Sequence, residues 1–393
     1  MEPAIRNSTS SAWYLPTLSG LWLLLAVGCK TTLPPDIDQA LDRVCQESIA
    51  RGEIPGAVLV VGRHQDILKQ KAYGQRVVAG KGGEALTLDT IFDLASLTKV
   101  VGTATALAIL LEDGLVKLDD PVVRYVQWWP DKSLTLRHLA THTSGFAPYL
   151  PAKEVRTRFP DLTGNQAVLR AIAAHKRRYP MGEGFSYSCL NYLLLAHVLE
   201  KACGKNLEEL LRQRVWAPLG MHDTTWRLAP GKKERCAPTE NGLRGRVHDP
   251  LAALYGTENG MPGNAGLFST GPDLARFMAA LSCGGVLGST RILKTETVQA
   301  LFANQAPPSS DSKRGLGWVI PDRPKYLPFP GKFTVRYHKG FTGTFLWIDL
   351  ESGVYVVLLT SRLYPKRGNA EPIRSKVVQI VAKEYIPTLH SRT

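Results

Sequence analysis

The helix that opens at Ser96 constrains this chain more than any other segment. From Val100-Val101-Gly102-Thr103-Ala104 through Leu111, closing near Gly114, it is apolar almost all round, the pattern of a helix buried on every side. A chain that must wrap one helix completely needs a large core, and 393 residues with 44% hydrophobic content can build it. That length predicts one large domain or two intimate subdomains. A serine and a lysine at the mouth of such a helix need a polar reason to be there. In Ser96-Leu97-Thr98-Lys99 they stand at i and i+3, on one face and about 5–6 Å apart at their β-carbons.

That spacing suits acyl transfer, with Ser96 as nucleophile and Lys99 as its base. A lysine titrates near about 10.4 in water, so a base at neutral pH requires an uncharged amine. Burial and the positive end of the helix dipole both push in that direction. The free amides of the first turn also favour a developing oxyanion. The pattern S-x-x-K decides little by itself, because Ser310-Asp311-Ser312-Lys313 has the same form in a polar loop after Pro307-Pro308 and is set aside.

Around this helix the chain reads as α/β of the α+β type. Asp36 to Arg51 carries Ile37, Leu41, Val44 and Ile49 at helical spacing and stops at Gly52. Two apolar runs follow, Ala57 to Gly62 and Asp66 to Tyr73, parted by Arg63-His64-Gln65 as in a hairpin. A matching pair, Thr344 to Leu350 and Val354 to Thr360, flanks Glu351-Ser352-Gly353, and a last helix runs from about 370 to 385. Between these ends the helical runs lie near 96–113, 163–178, 188–202, 206–216 and 273–282. The expected assembly is a central antiparallel sheet flanked by the terminal helices, with an all-helical lobe against it and a cleft between. The sheet lobe would take about 36–95 and 265–390 of a domain spanning 36–390, and the helical lobe about 96–264.

Lys and Arg exceed Asp and Glu by 14, so the surface favours anionic partners. The charges are spread along the chain without a basic tail, zinc-finger spacing or aromatic-basic RNA motif, which argues against nucleic acid and for an anionic cell envelope or a plain solvated surface. Residues 1–29 read as a signal peptide: Arg6 in a polar stretch precedes Leu21-Trp22-Leu23-Leu24-Leu25-Ala26-Val27-Gly28 and then Cys29. The apolar run is too short to span a bilayer comfortably. Small residues before a cysteine resemble the bacterial lipobox, in which Cys29 would be lipidated and residues 30–35 would form a tether. A simple signal peptide or an uncleaved anchor is the alternative.

Five further cysteines, Cys45, Cys189, Cys203, Cys236 and Cys283, form no C-x-x-C pair, and an odd remainder argues against a disulfide framework. No cysteine or histidine cluster has metal-ligand spacing, so neither a metal nor an organic cofactor is expected. Gly74 to Gly82 fails as a phosphate loop, because five residues separate Gly74 from Gly80-Lys81 and Gly82 stands where serine or threonine is needed.

Six stretches together carry a resemblance. They are Phe92-Asp93-Leu94-Ala95-Ser96-Leu97-Thr98-Lys99, Leu136-Arg137-His138-Leu139-Ala140-Thr141-His142-Thr143-Ser144-Gly145 and Tyr187-Ser188-Cys189-Leu190-Asn191-Tyr192. Further on come Pro218-Leu219-Gly220-Met221, Ala265-Gly266-Leu267-Phe268-Ser269-Thr270 and His338-Lys339-Gly340-Phe341-Thr342-Gly343-Thr344. In this order and spacing, from about residue 37 to 385, the chain resembles the serine β-lactamase and penicillin-binding-protein superfamily of class C β-lactamases, D-alanyl-D-alanine carboxypeptidases and related esterases. The resemblance implies three motifs meeting in a cleft. Ser96 and Lys99 form the first. Tyr187 matches the tyrosine of the second, which in the family bridges nucleophile and base and relays a proton. His338-Lys339-Gly340 stands for the third, where Gly340 would let substrate backbone approach, His338 would help hold the substrate's negative group, and the amides of Ser96 and Phe341 would form the oxyanion hole.

Two positions depart from that family. Cys189 replaces an asparagine and removes a polar contact to substrate or Lys99; its bland role is that of a small buried hydrophobe. Asn191 is near but should face elsewhere. Lys339 replaces a hydroxyl residue, so it either favours an acidic ligand or, by strand alternation, points away from the cleft. His142 and His248 tempt a Ser-His-Asp reading, but the chain has no Gly-x-Ser-x-Gly elbow, and His142 is expected to be a buried structural histidine. The resemblance therefore implies a serine hydrolase, and the signal segment of residues 1–29 an exported protein of the bacterial cell envelope. It would work through an acyl-enzyme on a peptidoglycan-type peptide, a β-lactam or a small ester. The competing class is a non-catalytic scaffold or ligand-binding lipoprotein of the same fold.

Overall fold

The computed structural model describes residues 32–78, 83–162, 164–258, 260–310, 312–321 and 335–390. The signal segment, Cys29, the first two residues of the tether, Gly80 to Gly82 and Asp311 of the second S-x-x-K copy lie outside them. In chain order the elements that place the cleft are α1 (Pro35–Ala50), β1 (Gly56–Arg63), β2 (Asp66–Val77), β3 (Glu84–Ala85) and α2 (Ala95–Glu112). They continue with α3 (Cys189–Cys203), α4 (Gly271–Ser282), β4 (Val335–Lys339), β5 (Phe345–Asp349), β6 (Val354–Leu359) and α5 (Glu371–Ile380).

The sheet is antiparallel throughout, with strand order β3-β2-β1-β6-β5-β4. The two ends of the chain meet at its centre, where Val58 to Arg63 pair with Leu359 to Val354. The side-chain period of two then sorts the faces. Ala57, Leu59 and Val61 pack with Ile37 and Leu41 of α1 and with Ile373 and Val377 of α5. Val58 and Val60 join Leu274, Phe277 and Met278 of α4 in the larger core. β4 has no clear periodicity in sequence; it forms at the sheet's edge, pairing with β5 from Val335↔Asp349 to Lys339↔Phe345 and bridged on its other side by Val319 at Tyr337.

α2 is buried as its composition predicts: Val100, Val101, Ala104 and residues Ala106 to Leu110 are all essentially inaccessible. The helix is irregular at its start. A 3₁₀ turn at Ala95–Leu97 leads into a widened π stretch at Lys99–Ala104 before regular α geometry from Thr105. Such widening inside a helix is common at functional sites. α3 crosses this core with Leu190, Leu193, Leu194 and Val198 buried, and ends on Gly204 in the left-handed conformation that favours glycine. Cys45, Cys189, Cys203, Cys236 and Cys283 are all free thiols.

Candidate active site

The site is built on a turn. Asp93 lies on a two-strand ribbon, Phe92–Asp93 against Phe268–Ser269, and its buried carboxylate accepts the amide hydrogens of Ala95 at 2.8 Å and His248 at 2.7 Å. Burial pushes its pKa up, against the pull of those two donors. Ala95 sits at φ 45°, a left-handed value that strains a residue bearing a β-carbon. The turn therefore delivers Ser96 half-buried at the head of α2, with Asp93 holding the bend. The loop after β4 closes on the same turn: Thr342 Oγ1 donates to the Asp93 carbonyl at 2.8 Å and Thr344 Oγ1 to the Leu94 carbonyl at 2.9 Å.

Lys99 is fully buried. Its Nζ lies 3.2 Å from Ser96 Oγ, donates to the Asn264 carbonyl at 2.8 Å and approaches Cys189 Sγ at 3.7 Å. The Tyr187 ring centroid is 4.9 Å from the amine and that of Tyr192 5.8 Å. The surroundings of the amine run against the expectation of an uncharged lysine. Burial does push the lysine pKa down, but Cys189 and Tyr187, together with a hydrogen bond to the phenol, outweigh it, and the net direction is upward. The Asp249 carboxylate acts in the same upward direction.

Tyr187 and Cys189 flank Ser188, the N-cap of α3, whose hydroxyl accepts the Leu190 amide hydrogen at 3.2 Å. Cys189 faces the lysine, as a family asparagine there would, and is partly exposed. Asn191 does face elsewhere: it is buried against Ser144 and His142. His142 is a buried histidine, whose pKa burial drives well below the ordinary value. His248 lies apart from Ser96's base, stacked on Phe341 with ring centroids 5.2 Å apart.

The third motif forms the opposite wall. A cavity of about 560 Å³ is lined by Ser96, Tyr187, Arg314, His338, Lys339, Gly340, Phe341, Arg362 and Arg374, among others. His338 is buried, its ring nitrogens have no hydrogen-bond partner among the described residues, and burial with nearby Lys99 and Arg314 holds its pKa well below the ordinary value. It faces the site as a neutral ring, so the expected grip on a negative group has to come from an N–H rather than from a positive charge. Gly340 is required by the packing of the wall itself. A β-carbon there would fall 1.9 Å from Thr344 Oγ1 and 2.6 Å from the Leu94 carbonyl, so glycine lets β4 dock on the nucleophile turn. Lys339 lines the cavity but reaches Glu371 at the head of α5, 3.6 Å away. Phe341 is 43% exposed at the rim.

Sequence reasoning assigned no role to several residues that the geometry brings in. Asp93, Thr342 and Thr344 lie inside the quoted stretches, but nothing in their spacing says that they bond to one another. Asn264 acts through its carbonyl, which residue identity cannot reveal. Arg374 is buried and donates to the carbonyls of Gly340 and Thr344 at 2.9 and 3.0 Å; a lone arginine on a terminal helix carries no signal of that task.

Comparison with known proteins gives one consistent picture. The family model described as Beta-lactamase matches residues 41–379. An Escherichia coli (strain K12) protein named "Putative D-alanyl-D-alanine carboxypeptidase" is 28% identical over 372 residues, covering 84% of this chain and 83% of that protein. Among solved structures, a β-lactamase/D-alanine carboxypeptidase from Yersinia pestis, complexed with citrate, has a TM-score of 0.68 at 25% identity over 88% of this chain and 98% of its own. EstCE1, a hydrolase with promiscuous acyltransferase activity, superposes with a TM-score of 0.71 at 21% identity, covering 88% and 98% respectively.

Proposed function

Because the chain belongs to the Beta-lactamase family, a family of serine hydrolases, we propose that it hydrolyses an amide or ester of the cell envelope through an acyl-enzyme on Ser96. The observation that carries this reading is the buried Lys99 amine 3.2 Å from Ser96 Oγ with the Tyr187 ring beside it. Lys99 and Tyr187 share one proton, so the free base arises within the pair rather than on a permanently neutral lysine. The Ser96 proton passes to that pair as Oγ bonds to the substrate carbonyl. The amides of Ser96 and Phe341 hold the oxyanion, and the leaving group departs with the proton. Water then attacks the ester on Ser96, and the acid is released. Neutral His338 donates an N–H to substrate, and Gly340 fixes the wall on which substrate lies.

The substrate class is a D-alanyl-D-alanine peptide or a small ester. The name of the Escherichia coli relative supports the peptide, while Cys189, which offers a weak donor where an amide side chain would grip a peptide bond, supports the easier ester. Export to the envelope and anchoring through Cys29 complete the proposal and rest on the first 29 residues. Mass spectrometry after exposure to a fluorescent penicillin and to an activated ester tests the acyl-enzyme: an adduct on Ser96, lost in Ser96→Ala, is expected. Cys189 also favours a second reading, a non-catalytic scaffold, and absence of an adduct with every acyl donor would establish it. Palmitate labelling that persists in Cys29→Ala would remove the lipid anchor.

A further inference from the structure

The hydrolase reading needs Tyr187 beside Lys99 and Ser96, yet Tyr187 lies in an irregular stretch, one residue before the cap of α3, where no helix or sheet ladder fixes it. His142 holds the chain on both sides of it. The His142 carbonyl accepts the Ser186 amide hydrogen at 3.1 Å, and His142 Nδ1 accepts that of Ser188, also at 3.1 Å. Between these two anchors the imidazole lies against the Tyr187 ring, centroids 4.7 Å apart. The histidine adopts φ 61°, a left-handed backbone that residues other than glycine and asparagine seldom take. Strain of that kind persists where surrounding structure demands it.

A second set of contacts fixes the ring's tautomer. Ser144 Oγ donates to Asn191 Oδ1 at 2.5 Å, which turns the Asn191 amide nitrogen toward His142 Nδ1 at 3.2 Å. Nδ1 thus accepts from two donors, and the proton must sit on Nε2, a buried atom with no hydrogen-bond partner among the described residues.

We propose that His142 is the positioning residue for Tyr187, a neutral imidazole that clips the chain on both sides of the phenol and sets where the Tyr187–Lys99 pair meets Ser96. This rests on the reading of Ser96 as acylated nucleophile. Burial comes first in keeping the ring neutral, and the charges facing it act the same way: Arg314, Lys99 of α2 and His338 of β4, with the Tyr187 and Tyr192 phenols packed against its faces. Protonation would convert Nδ1 from acceptor to donor and break both of its contacts. A packing role alone would be met by any side chain of similar volume. A clip needs an acceptor on a left-handed backbone, which asparagine can supply and leucine cannot.

Full-length wild type, H142L and H142N are compared on p-nitrophenyl butyrate, with thermal melting as a control for folding and ¹⁵N-histidine NMR from pH 5 to 8. The expected result is a kcat at least 30-fold lower in H142L with KM within threefold, recovery in H142N to within fivefold of wild type, and a His142 signal that stays in the Nε2–H form across the range. Folded H142L with kcat within twofold of wild type would overturn the proposal, as would H142N no better than H142L or a His142 that titrates near 6.5. If H142L does not fold, H142N and the nitrogen spectrum decide. A wild-type chain that turns over no acyl donor defeats the hydrolase reading and the clip with it, whereas an active wild type with an unaffected H142L defeats the clip alone.

Discussion

Among the described residues two lysines are buried, one on each side of the sheet, and their surroundings are opposites. Lys69 of β2 faces α1, where Asp38 Oδ1 and Asp42 Oδ1 lie 2.5 and 2.7 Å from its amine. Asp42 also accepts from Lys71 and Tyr73. Burial works to raise the pKa of Asp42, yet these donors bring it down to about 2. Lys99 has no carboxylate in contact; a carbonyl, a hydroxyl, a thiol and a phenol surround it. A buried cation answered by two anions is a finished structural pair. One held by neutral or weakly acidic partners can exchange its proton with them, and that is the property that catalysis uses.

The widest separation is expected when each lysine becomes methionine. Lys99→Met should lower kcat for an activated ester by about 10³-fold or more, with the urea midpoint unchanged or raised, because a desolvated charge has been replaced by an apolar chain. Lys69→Met should do the reverse. Turnover per folded molecule stays within about twofold, while stability falls by about 2 kcal/mol, since Asp38 and Asp42 lose their shared partner. Equal loss of activity in both variants would break the contrast.

Acid titration sharpens it. Asp42 has a folded pKa of about 2 against an unfolded value of about 3.9, so the folded state binds fewer protons here. The stability it lends is complete above about pH 4 and is lost as pH falls through about 2. The linkage amounts to about 2 kcal/mol. In wild type the urea midpoint should fall across that window, and Lys69→Met should flatten the fall. A smaller effect is expected from Cys189→Asn, which restores an amide beside Lys99: β-lactam acylation of Ser96 should rise by up to about tenfold while ester hydrolysis changes by less than about threefold. A decrease for both substrates would show that the thiol is already the better neighbour.

How much of this was legible in sequence depended on whether periodicity or tertiary contact sets the feature. The buried α2, the two hairpins and the terminal helices follow from local pattern, and observed boundaries fall within a few residues of those expected. β4 was reached through the third-motif resemblance and not through periodicity, because five residues of mixed exposure at a sheet's edge carry no clean alternation. Ser96, Lys99 and Tyr187 were found through motif spacing and family resemblance, and the fold does bring them together. For Lys99, burial and the helix dipole can be read from sequence, whereas a phenol and a thiol folded against the amine cannot. The packing task of Gly340 was invisible for the same reason, since the carbonyl it must clear belongs to Leu94, far away along the chain.

That distance has a consequence for biosynthesis. The nucleophile turn is braced by Thr342 and Thr344, and β1 at the sheet's centre pairs with residues 354 to 359. Half of the sheet and the whole of one cleft wall are therefore absent until residues 335 to 359 have left the ribosome. Contacts between such distant parts of a chain form slowly and cooperatively. A nascent or prematurely terminated product carries Ser96 and Lys99 but no competent crevice around them, so premature stop codons as late as residue 340 should yield proteins with no acylating activity at all.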